Sequence, residues 1–517
     1  MTKHIMTLII TVALIRLLPY LITGIPYHTD TYALLPLMDL LNVKTPTHLT
    51  PDDGFDNYNI YWPGIITYSV VHSVVVGMVP RTLTPITVPI INSLSILPLI
   101  AFLRSLGASR THSLVTTFIY GLVGTEVILG AGVTKEGYAL TLLMVLLLLN
   151  ALIFKGYTQS AYLALITYLA LIITHHLTSV IGLLLTAFTL IAYLVGEVVV
   201  RRLTIALAVQ VVSTALLIIY IYTYSGRGLS ILAMMGISDI ISLIAYEVTM
   251  TLPILLSVMM RSWLNSMIKV WFLGAYALVV ILAILGTKVE LALGAPRIST
   301  TELAFFAPYL IIALLSIAYV GRLGRTYLNV FAYLVILGLL GVEAYFIFGT
   351  PGLISEAYRT STFMYLGVSI LAAYATLAVK GRYKAYVMRL TIAVALITSA
   401  CLVPYVAFYS SHIGGSQRIY LPSDLSTANY ISRYGGDEMF CGDLRFSYLF
   451  YPKRVDTYGG LKYLLRGLPP NCYLVVNELV VDVGYVASAY GVPVSINNAL
   501  DDPIIYIGGR NFIVIPK

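Results

Sequence analysis

The sequence has 517 residues, of which 59% are hydrophobic and only 10% are charged, and its mean hydropathy is +0.89. Soluble chains carry about 25% charged residues, so the composition excludes an ordinary water-soluble protein. The net charge is +8, but many basic residues lie in short loops between apolar segments, where they set membrane orientation, so nucleic acid is excluded as a partner.

Apolar stretches long enough to cross a hydrocarbon core of about 30 Å recur between Ile5 and Phe408. The first has no A-x-A-like cleavage site after it and is predicted to be a retained anchor. We expect an α-helical polytopic membrane domain over residues 1–409 and a small extracytoplasmic α/β domain over residues 410–517. About thirteen spans are predicted, near 5–23, 84–103, 112–131, 138–154, 158–174, 178–196, 203–222, 241–260, 268–286, 302–320, 327–347, 361–379 and 386–408.

A further apolar run, 60–80, is not expected to cross the membrane. When it is left out, alternate loops carry fourteen basic residues on one side and seven on the other. The positive-inside rule then places the N-terminus in the cytoplasm and the C-terminal domain outside the cell membrane. The run opens with Tyr-Trp-Pro-Gly, which suits an interfacial or re-entrant helix. The first external loop, 24–83, is unusually long, and loops of this length are usually functional.

Charge density rises after residue 410, and short segments alternate in character. The patterns predict helices at 425–434 and 483–490, a strand at 473–477, and a hairpin that joins 504–507 to 511–515. Cys441 and Cys472 either form one disulfide, if this region is outside the cell, or remain two free thiols in a small core.

An acidic residue follows the first predicted span closely, in the segment GIPYHTDTYALLPLMDLL. Asp30, with His28 two positions before it, is predicted at the outer membrane boundary. A carboxylate fixed there can take a proton from an acceptor hydroxyl or amide. The alternative is that Asp30 caps the helix predicted to follow, because Asp is a favoured N-cap residue, and both roles are compatible.

The same long loop contains PDDGFDNYN, which offers the carboxylates of Asp52, Asp53 and Asp56. The segment lacks the other ligands of an EF-hand, so solvated acids are the favoured interpretation. No cofactor is predicted, and a divalent cation, Mg²⁺ or Mn²⁺, stays an open alternative.

The second external loop, AGVTKEGYAL, places Lys135 and Glu136 at the outer start of the fourth span. Glu136 is either a second acidic group that faces Asp30 across a cavity or a favourable charge at a helix N-terminus. After the fifth span, His175 and His176 lie at the outer boundary. They either bind phosphate or shuttle protons, or they pack as interfacial histidines.

Three arginines of the external membrane loops, Arg227, Arg297 and Arg359, are predicted at one membrane face. Guanidinium groups pair well with phosphate oxygens, so the three predict a lipid-phosphate site, with Lys135 beside it. Charged residues inside the spans are expected to face protein or water rather than lipid; these are Arg16, Glu126, Glu247 and Glu343.

Several segments taken in order resemble the GT-C superfamily of membrane glycosyltransferases. They are PYHTDTYALLPL after the first span, NIYWPGIITYSVVH, FLRSLGASRTHS, VTKEGYALTLLMVLLLL and, in the C-terminal region, DLSTANYISRYGGDEMFCGDLRFSYLF. The chain looks like archaeal members and resembles the group of dolichyl-phosphate-mannose-protein mannosyltransferases and aminoarabinose transferases.

This resemblance implies that Asp30 is a base, that external arginines hold a leaving phosphate, and that a sugar passes with inversion from a polyprenyl-phosphate donor to an extracytoplasmic protein, lipid or glycan. The sequence lacks the WWDYG motif of oligosaccharyltransferases, and Asp30 has no neighbouring second acid. The alternatives are a transporter or flippase for a lipid-linked glycan, which often shows internal repeats that are not visible here, and a non-catalytic membrane scaffold.

Overall fold

The chain is helical wherever its apolar runs are long, because a backbone in lipid must satisfy its own polar groups. The computed structural model describes residues 2–43, 58–196, 199–225, 237–260, 265–289, 300–320, 326–349, 354–408, 420–450, 455–478, 480, 484–486, 491–492 and 494–516. The helices before residue 409 are α1 (Thr2–Thr23), α2 (Thr29–Val43), α3 (Gly64–Val76), α4 (Pro80–Leu94), α5 (Ile96–Ser105), α6 (Arg110–Leu122), α7 (Gly124–Ala131), α8 (Lys135–Phe154), α9 (Ser160–Ile172), α10 (His176–Tyr193), α11 (Val200–Tyr220), α12 (Ile237–Met259), α13 (Asn265–Gly286), α14 (Thr300–Ile317), α15 (Tyr327–Phe348), α16 (Ile354–Ala378) and α17 (Arg382–Phe408).

Among the described residues, fewer helices reach the length of a span than the thirteen predicted. Over the described residues, ten helical segments are long and apolar enough to cross a membrane, and α6 with α7, bent by 65°, makes an eleventh if the pair is one span. The predicted span 158–174 contains the shorter apolar helix α9 (Ser160–Ile172), and the predicted span 302–320 contains α14, of which Ala307–Ile317 is the described apolar stretch. Turns at Gln159 and Ile173 remove the ends of the first of these runs from the helix. The multi-pass helical membrane fold itself is confirmed.

The ambiguous run 60–80 forms α3, whose 13 residues rise about 20 Å, less than a hydrocarbon core of about 30 Å. The amide of Gly64 donates a hydrogen bond to the carbonyl of Ile173, at 3.0 Å. A Cβ at Gly64 would lie 2.9 Å from the Cα of Thr174, so only glycine allows this approach. Helix α3 therefore packs against the turn between α9 and α10. The side of the membrane on which either terminus lies stays a prediction.

The core of the membrane region is built around α15, which is buried along most of its length. Arg16 of α1 and Glu126 of α7 form an ion pair in which each side chain is 1% exposed. Both carboxyl oxygens of Glu247 and one of Glu343 are also buried in protein. These intramembrane charges face protein, as predicted, because lipid cannot solvate them.

After residue 420 the chain forms a small α/β region. Its helices are α18 (Pro422–Tyr434), α19 (Leu444–Leu449), α20 (Thr457–Arg466) and α21 (Asn497–Leu500), and its strands are β1 (Phe440–Gly442), β2 (Val455–Asp456), β3 (Tyr473–Val476), β4 (Tyr485–Val486), β5 (Gly491–Val492), β6 (Ile504–Gly508) and β7 (Asn511–Val514). The main sheet has the order β2-β1-β3-β7-β6, parallel between β1 and its two neighbours and antiparallel elsewhere.

The predicted hairpin and the predicted strand near 473 are confirmed, with Gly509 at a φ of 66° in the turn. The helix predicted at 483–490 is wrong, because Tyr485 and Val486 pair with β5 as a strand. Cys441 and Cys472 are disulfide-bonded, with their Cα atoms 5.7 Å apart. Of the two alternatives for these cysteines, the structure therefore favours the disulfide.

This region docks on the membrane helices through aromatic side chains. The ring centroids of Tyr420 and Tyr32, which belongs to α2, are 4.4 Å apart. Leu421 packs beside Tyr27 and Val127. The hydroxyl of Tyr420 donates to the carbonyl of Arg445 at 2.5 Å. The docking brings α19 next to α2.

Candidate functional site

Helix α2 begins just after the first span, and its start is fixed by His28. The amide of Asp30 donates to Nδ1 of His28 at 3.2 Å, so His28 occupies the capping position that precedes the helix. His28 has a φ of 76°, a conformation that most non-glycine residues avoid, and its side chain is 8% exposed. Asp30 stands in the first turn instead, with 48% of its side chain exposed.

The first turn of α2 is held against the loop that joins α7 to α8. The amide of Val133 donates to Oγ1 of Thr31 at 3.1 Å, and that hydroxyl donates to the carbonyl of Tyr27 at 2.7 Å. A Cβ at Gly132 would lie 2.7 Å from the Cβ of His28, so the glycine permits the close contact. Asp30 is thereby fixed next to the start of α8.

Helix α8 begins with two charged residues, Lys135 and Glu136, directly after the N-cap residue Thr134. Oγ1 of Thr134 accepts the amide of Gly137 at 3.0 Å, which places Lys135 and Glu136 in the first turn. Glu136 is 5% exposed, and its Oε2 lies 3.7 Å from Nε of Arg359 on α16. Lys135 is 8% exposed, and its Nζ lies 3.6 Å from the centre of the Tyr58 ring. Two cations and one carboxylate are thus held together in largely buried positions.

His175 is buried and His176 is partly buried at the turn between α9 and α10. Nδ1 of His175 lies 2.8 Å from Oγ1 of Thr178 and accepts the amide of the same residue, so His175 caps α10. Burial, together with His176 and the nearby cations, lowers the pKa of His175 well below its ordinary value. The ring is therefore neutral at pH 7. His176 bonds to the hydroxyl of Tyr58 at 3.2 Å and packs against Trp62.

These elements surround one cavity of about 160 Å³. It is lined by His28, Asp30, Ala33, Leu34, Tyr58, Asn59, Leu129, Thr134, Lys135, Glu136, His175, Arg359 and Tyr448. Tyr448 belongs to α19, so the C-terminal region supplies part of the wall. The cavity combines a half-exposed carboxylate with an arginine and a lysine, which suits proton abstraction beside a bound anion.

Six of the predicted site residues line this cavity: His28, Asp30, Lys135, Glu136, His175 and Arg359. His176 lies behind them, against Tyr58 and Trp62. Arg227 and Arg297, and the acids Asp52, Asp53 and Asp56, lie outside the described residues. The roles of all of these residues stay predictions.

Sequence reasoning missed Tyr58, Asn59 and Tyr448 as lining residues. Tyr58 and Asn59 end the segment PDDGFDNYN, and Asn59 also opens NIYWPGIITYSVVH, which carries the resemblance, but neither residue was assigned a role in the site. The dense aromatic pattern there was the available signal. No local sequence pattern indicates that Tyr448 reaches the cavity, because only the docking of α19 beside α2 brings it there.

The fit of a metal ion is partial. Asp30 and Glu136 offer hard carboxylate oxygens of the kind that Mg²⁺ and Mn²⁺ prefer. Among the described residues, however, His, Cys, Asp and Glu side chains cluster closely enough for three ligands only at Cys441, Asp456 and Cys472, where both sulfurs are in the disulfide.

No family model and no curated protein matches the chain. Among solved structures, the Archaeoglobus fulgidus oligosaccharyltransferase in the apo form matches with a TM-score of 0.56 and 11% identity, over 92% of this chain and 69% of that chain. The archaeal oligosaccharyltransferase AglB from Archaeoglobus fulgidus, in complex with an inhibitory peptide and a dolichol-phosphate, matches with a TM-score of 0.52 and 12% identity over the same shares. ArnT from Cupriavidus metallidurans in the apo state matches with a TM-score of 0.41 and 12% identity, over 98% of this chain and 97% of that chain.

The oligosaccharyltransferase is a GT-C membrane glycosyltransferase, and the predicted GT-C fold is confirmed by its match to this chain. At these identities the likeness shows the fold alone. Membership of the superfamily and the branch within it stay predictions, and this sequence lacks the WWDYG motif of oligosaccharyltransferases.

Proposed function

We propose that the protein is a membrane glycosyltransferase that moves a sugar from a polyprenyl-phosphate donor to an extracytoplasmic protein, lipid or glycan. The observation that carries the proposal is that the half-exposed carboxylate of Asp30 shares one cavity with Arg359 and Lys135. A base and a phosphate-binding pair are the two functions that such a transfer requires. The structural neighbour AglB was determined with a dolichol-phosphate, which supports a lipid-phosphate donor.

In the proposed reaction, Asp30 takes the proton of the acceptor hydroxyl or amide. The acceptor atom attacks the anomeric carbon from the face opposite the phosphate, and the bond between that carbon and the phosphate oxygen breaks. The electron pair leaves with the polyprenyl phosphate, whose charge Arg359 and Lys135 stabilise. The configuration at the anomeric carbon is therefore inverted.

Glu136 holds the guanidinium of Arg359 in the proposed site, because the two side chains form an ion pair on the cavity. His28 fixes the first turn of α2 and thus the direction of Asp30. The absence of WWDYG supports transfer of a single sugar rather than of a whole oligosaccharide to asparagine. Tyr448 lines the same cavity, which supports a role of the C-terminal region in holding the acceptor.

The test is transfer of label from radiolabelled polyprenyl-phosphate sugars in membranes that contain the wild type, Asp30→Asn or Asp39→Asn. Asp30→Asn keeps the shape and removes the base, so we expect at least a hundredfold loss, since general-base catalysis contributes about 10²–10⁴. Asp39 is a matched control on the same helix, where it pairs with Arg81 at the surface. Such surface pairs contribute about 1 kcal/mol or less, so Asp39→Asn should keep nearly full activity.

Equal transfer by the wild type and Asp30→Asn, at equal expression, would remove Asp30 from the mechanism. Movement of the lipid-linked sugar across the bilayer without any transferred label would instead support the flippase alternative. A scaffold would show neither transfer nor movement with any donor.

A further inference from the structure

A second cleft lies at the opposite end of α16 from the candidate site. Arg359 is in the second turn of α16, and the cleft begins at Val379, just after the helix ends. The twenty residues between them correspond to about 30 Å of helix, the thickness of a hydrocarbon core. The cleft is therefore at the other membrane face.

The cleft has a volume of about 760 Å³ and is formed where α17 starts. Gly381, with a φ of 95°, makes the turn between the two helices. Four lining residues then recur at helical spacing on one face of α17: Arg382, Ala385, Tyr386 and Arg389. Two guanidinium groups and an aromatic ring thus face the same opening.

The charges at this cleft are not balanced by neighbours in sequence. Residues 376–390 contain four basic side chains, Lys380, Arg382, Lys384 and Arg389, and no Asp or Glu. Arg389 lies two turns inside an apolar helix that is long enough to span, yet it is exposed. Its Nε is 3.5 Å from the carbonyl of Thr376, which is at the limit for a hydrogen bond and supplies no negative charge. An anionic partner at the lipid headgroup level would compensate a charge at this depth.

We propose that the cleft binds the headgroup of an anionic phospholipid, whose phosphate is held between Arg382 and Arg389. Guanidinium groups bind phosphate oxygens in a bidentate manner, and the two arginines lie one above the other on α17. The rings of Tyr383 and Tyr386 are 80% and 64% exposed and are suited to the membrane–water boundary. The positive-inside rule accounts for basic residues at this face, but not for two arginines that line one cleft. The inference does not depend on the proposed sugar transfer.

The test measures lipid retention by the purified full-length protein in detergent. The protein is titrated with phosphatidylglycerol and with phosphatidylcholine, and bound lipids are counted by native mass spectrometry. We expect the wild type to prefer phosphatidylglycerol at least tenfold. The double variant Arg382→Gln and Arg389→Gln should lose this preference.

Arg110→Gln is the matched control, because Arg110 is an exposed arginine that does not line the cleft. It begins α6, whose His112 contacts the carbonyl of Ile370 on α16 at 2.9 Å, toward the same end of that helix. This variant should keep the wild-type preference. A loss equal to that of the double variant would show that only general surface charge acts, and would overturn the site.

Two results on the wild type alone would also overturn the inference, whatever the variants do. One is equal retention of the two lipids. The other is displacement of phosphatidylglycerol by millimolar glycerol 3-phosphate, which would make the cleft a site for soluble anions.

Discussion

The ion pair between Glu136 and Arg359 leads to a quantitative prediction. Nε of Arg359 is 3.7 Å from Oε2 of Glu136, and the side chains are 22% and 6% exposed. At this distance the attraction of two unit charges is about 1 kcal/mol in water and about 4.5 kcal/mol at an effective dielectric constant of about 20. The partial exposure of Arg359 places the pair between these limits. We therefore expect a coupling energy of about 1–3 kcal/mol, a factor of about 5–150.

The perturbation is a double-mutant cycle with Glu136→Gln, Arg359→Gln and the double variant. The assay is sugar transfer at varied donor concentration, which separates kcat from KM. If Glu136 acts by holding Arg359, each single variant lowers kcat/KM for the donor, through kcat where the leaving charge is stabilised and through KM where the donor phosphate is bound. The double variant is then no worse than Arg359→Gln alone, because the pair is already broken. Losses that multiply in the double variant would refute this reasoning and make Glu136 an independent second acidic group.

Two further predictions concern the parts of the fold that position the site. His175→Asn keeps a capping side chain on α10 but removes a group whose pKa is lowered in the folded state. The unfolded histidine gains a proton below about pH 6.5 and the folded one does not, so wild-type stability falls as the pH decreases. Thermal unfolding in detergent between pH 8 and pH 5 should therefore show a steeper loss for the wild type than for His175→Asn, and parallel curves would contradict this. Gly64→Ala forces a Cβ against the backbone of Thr174 and should destabilise the protein by about 1–3 kcal/mol, whereas Gly274→Ala, with nothing within 4 Å, should unfold at the wild-type temperature or above it.

The membrane fold and the region of the site could be predicted from the sequence because both depend on local patterns. Apolar runs predict helices, and polar residues that follow helix ends at one membrane face are confined to one layer of the molecule. Asp30 and Glu136 were selected in this way, and the structure places both on one cavity. Their chemistry awaits the transfer assay.

What the sequence could not provide are contacts between distant segments. Glu136 and Arg359 are 223 positions apart, and no local pattern indicates which acid an arginine pairs with. The cap of α2 was assigned to Asp30 as an alternative, but the unusual backbone of His28 brings its ring to that position. The strands at Tyr485 were missed because two-residue strands have no detectable periodicity.

The docking of the C-terminal region has a consequence for when the cavity becomes complete. Tyr448 lines the cavity together with residues that are synthesised more than three hundred positions earlier, such as Asp30 and Glu136. Chains emerge from the ribosome N-terminus first, so the membrane helices are synthesised before this tyrosine. The cavity therefore gains its last wall only after the final helix is in place and the C-terminal region has folded against α2. A partly synthesised protein that ends before α19 therefore lacks the wall of the cavity that Tyr448 forms.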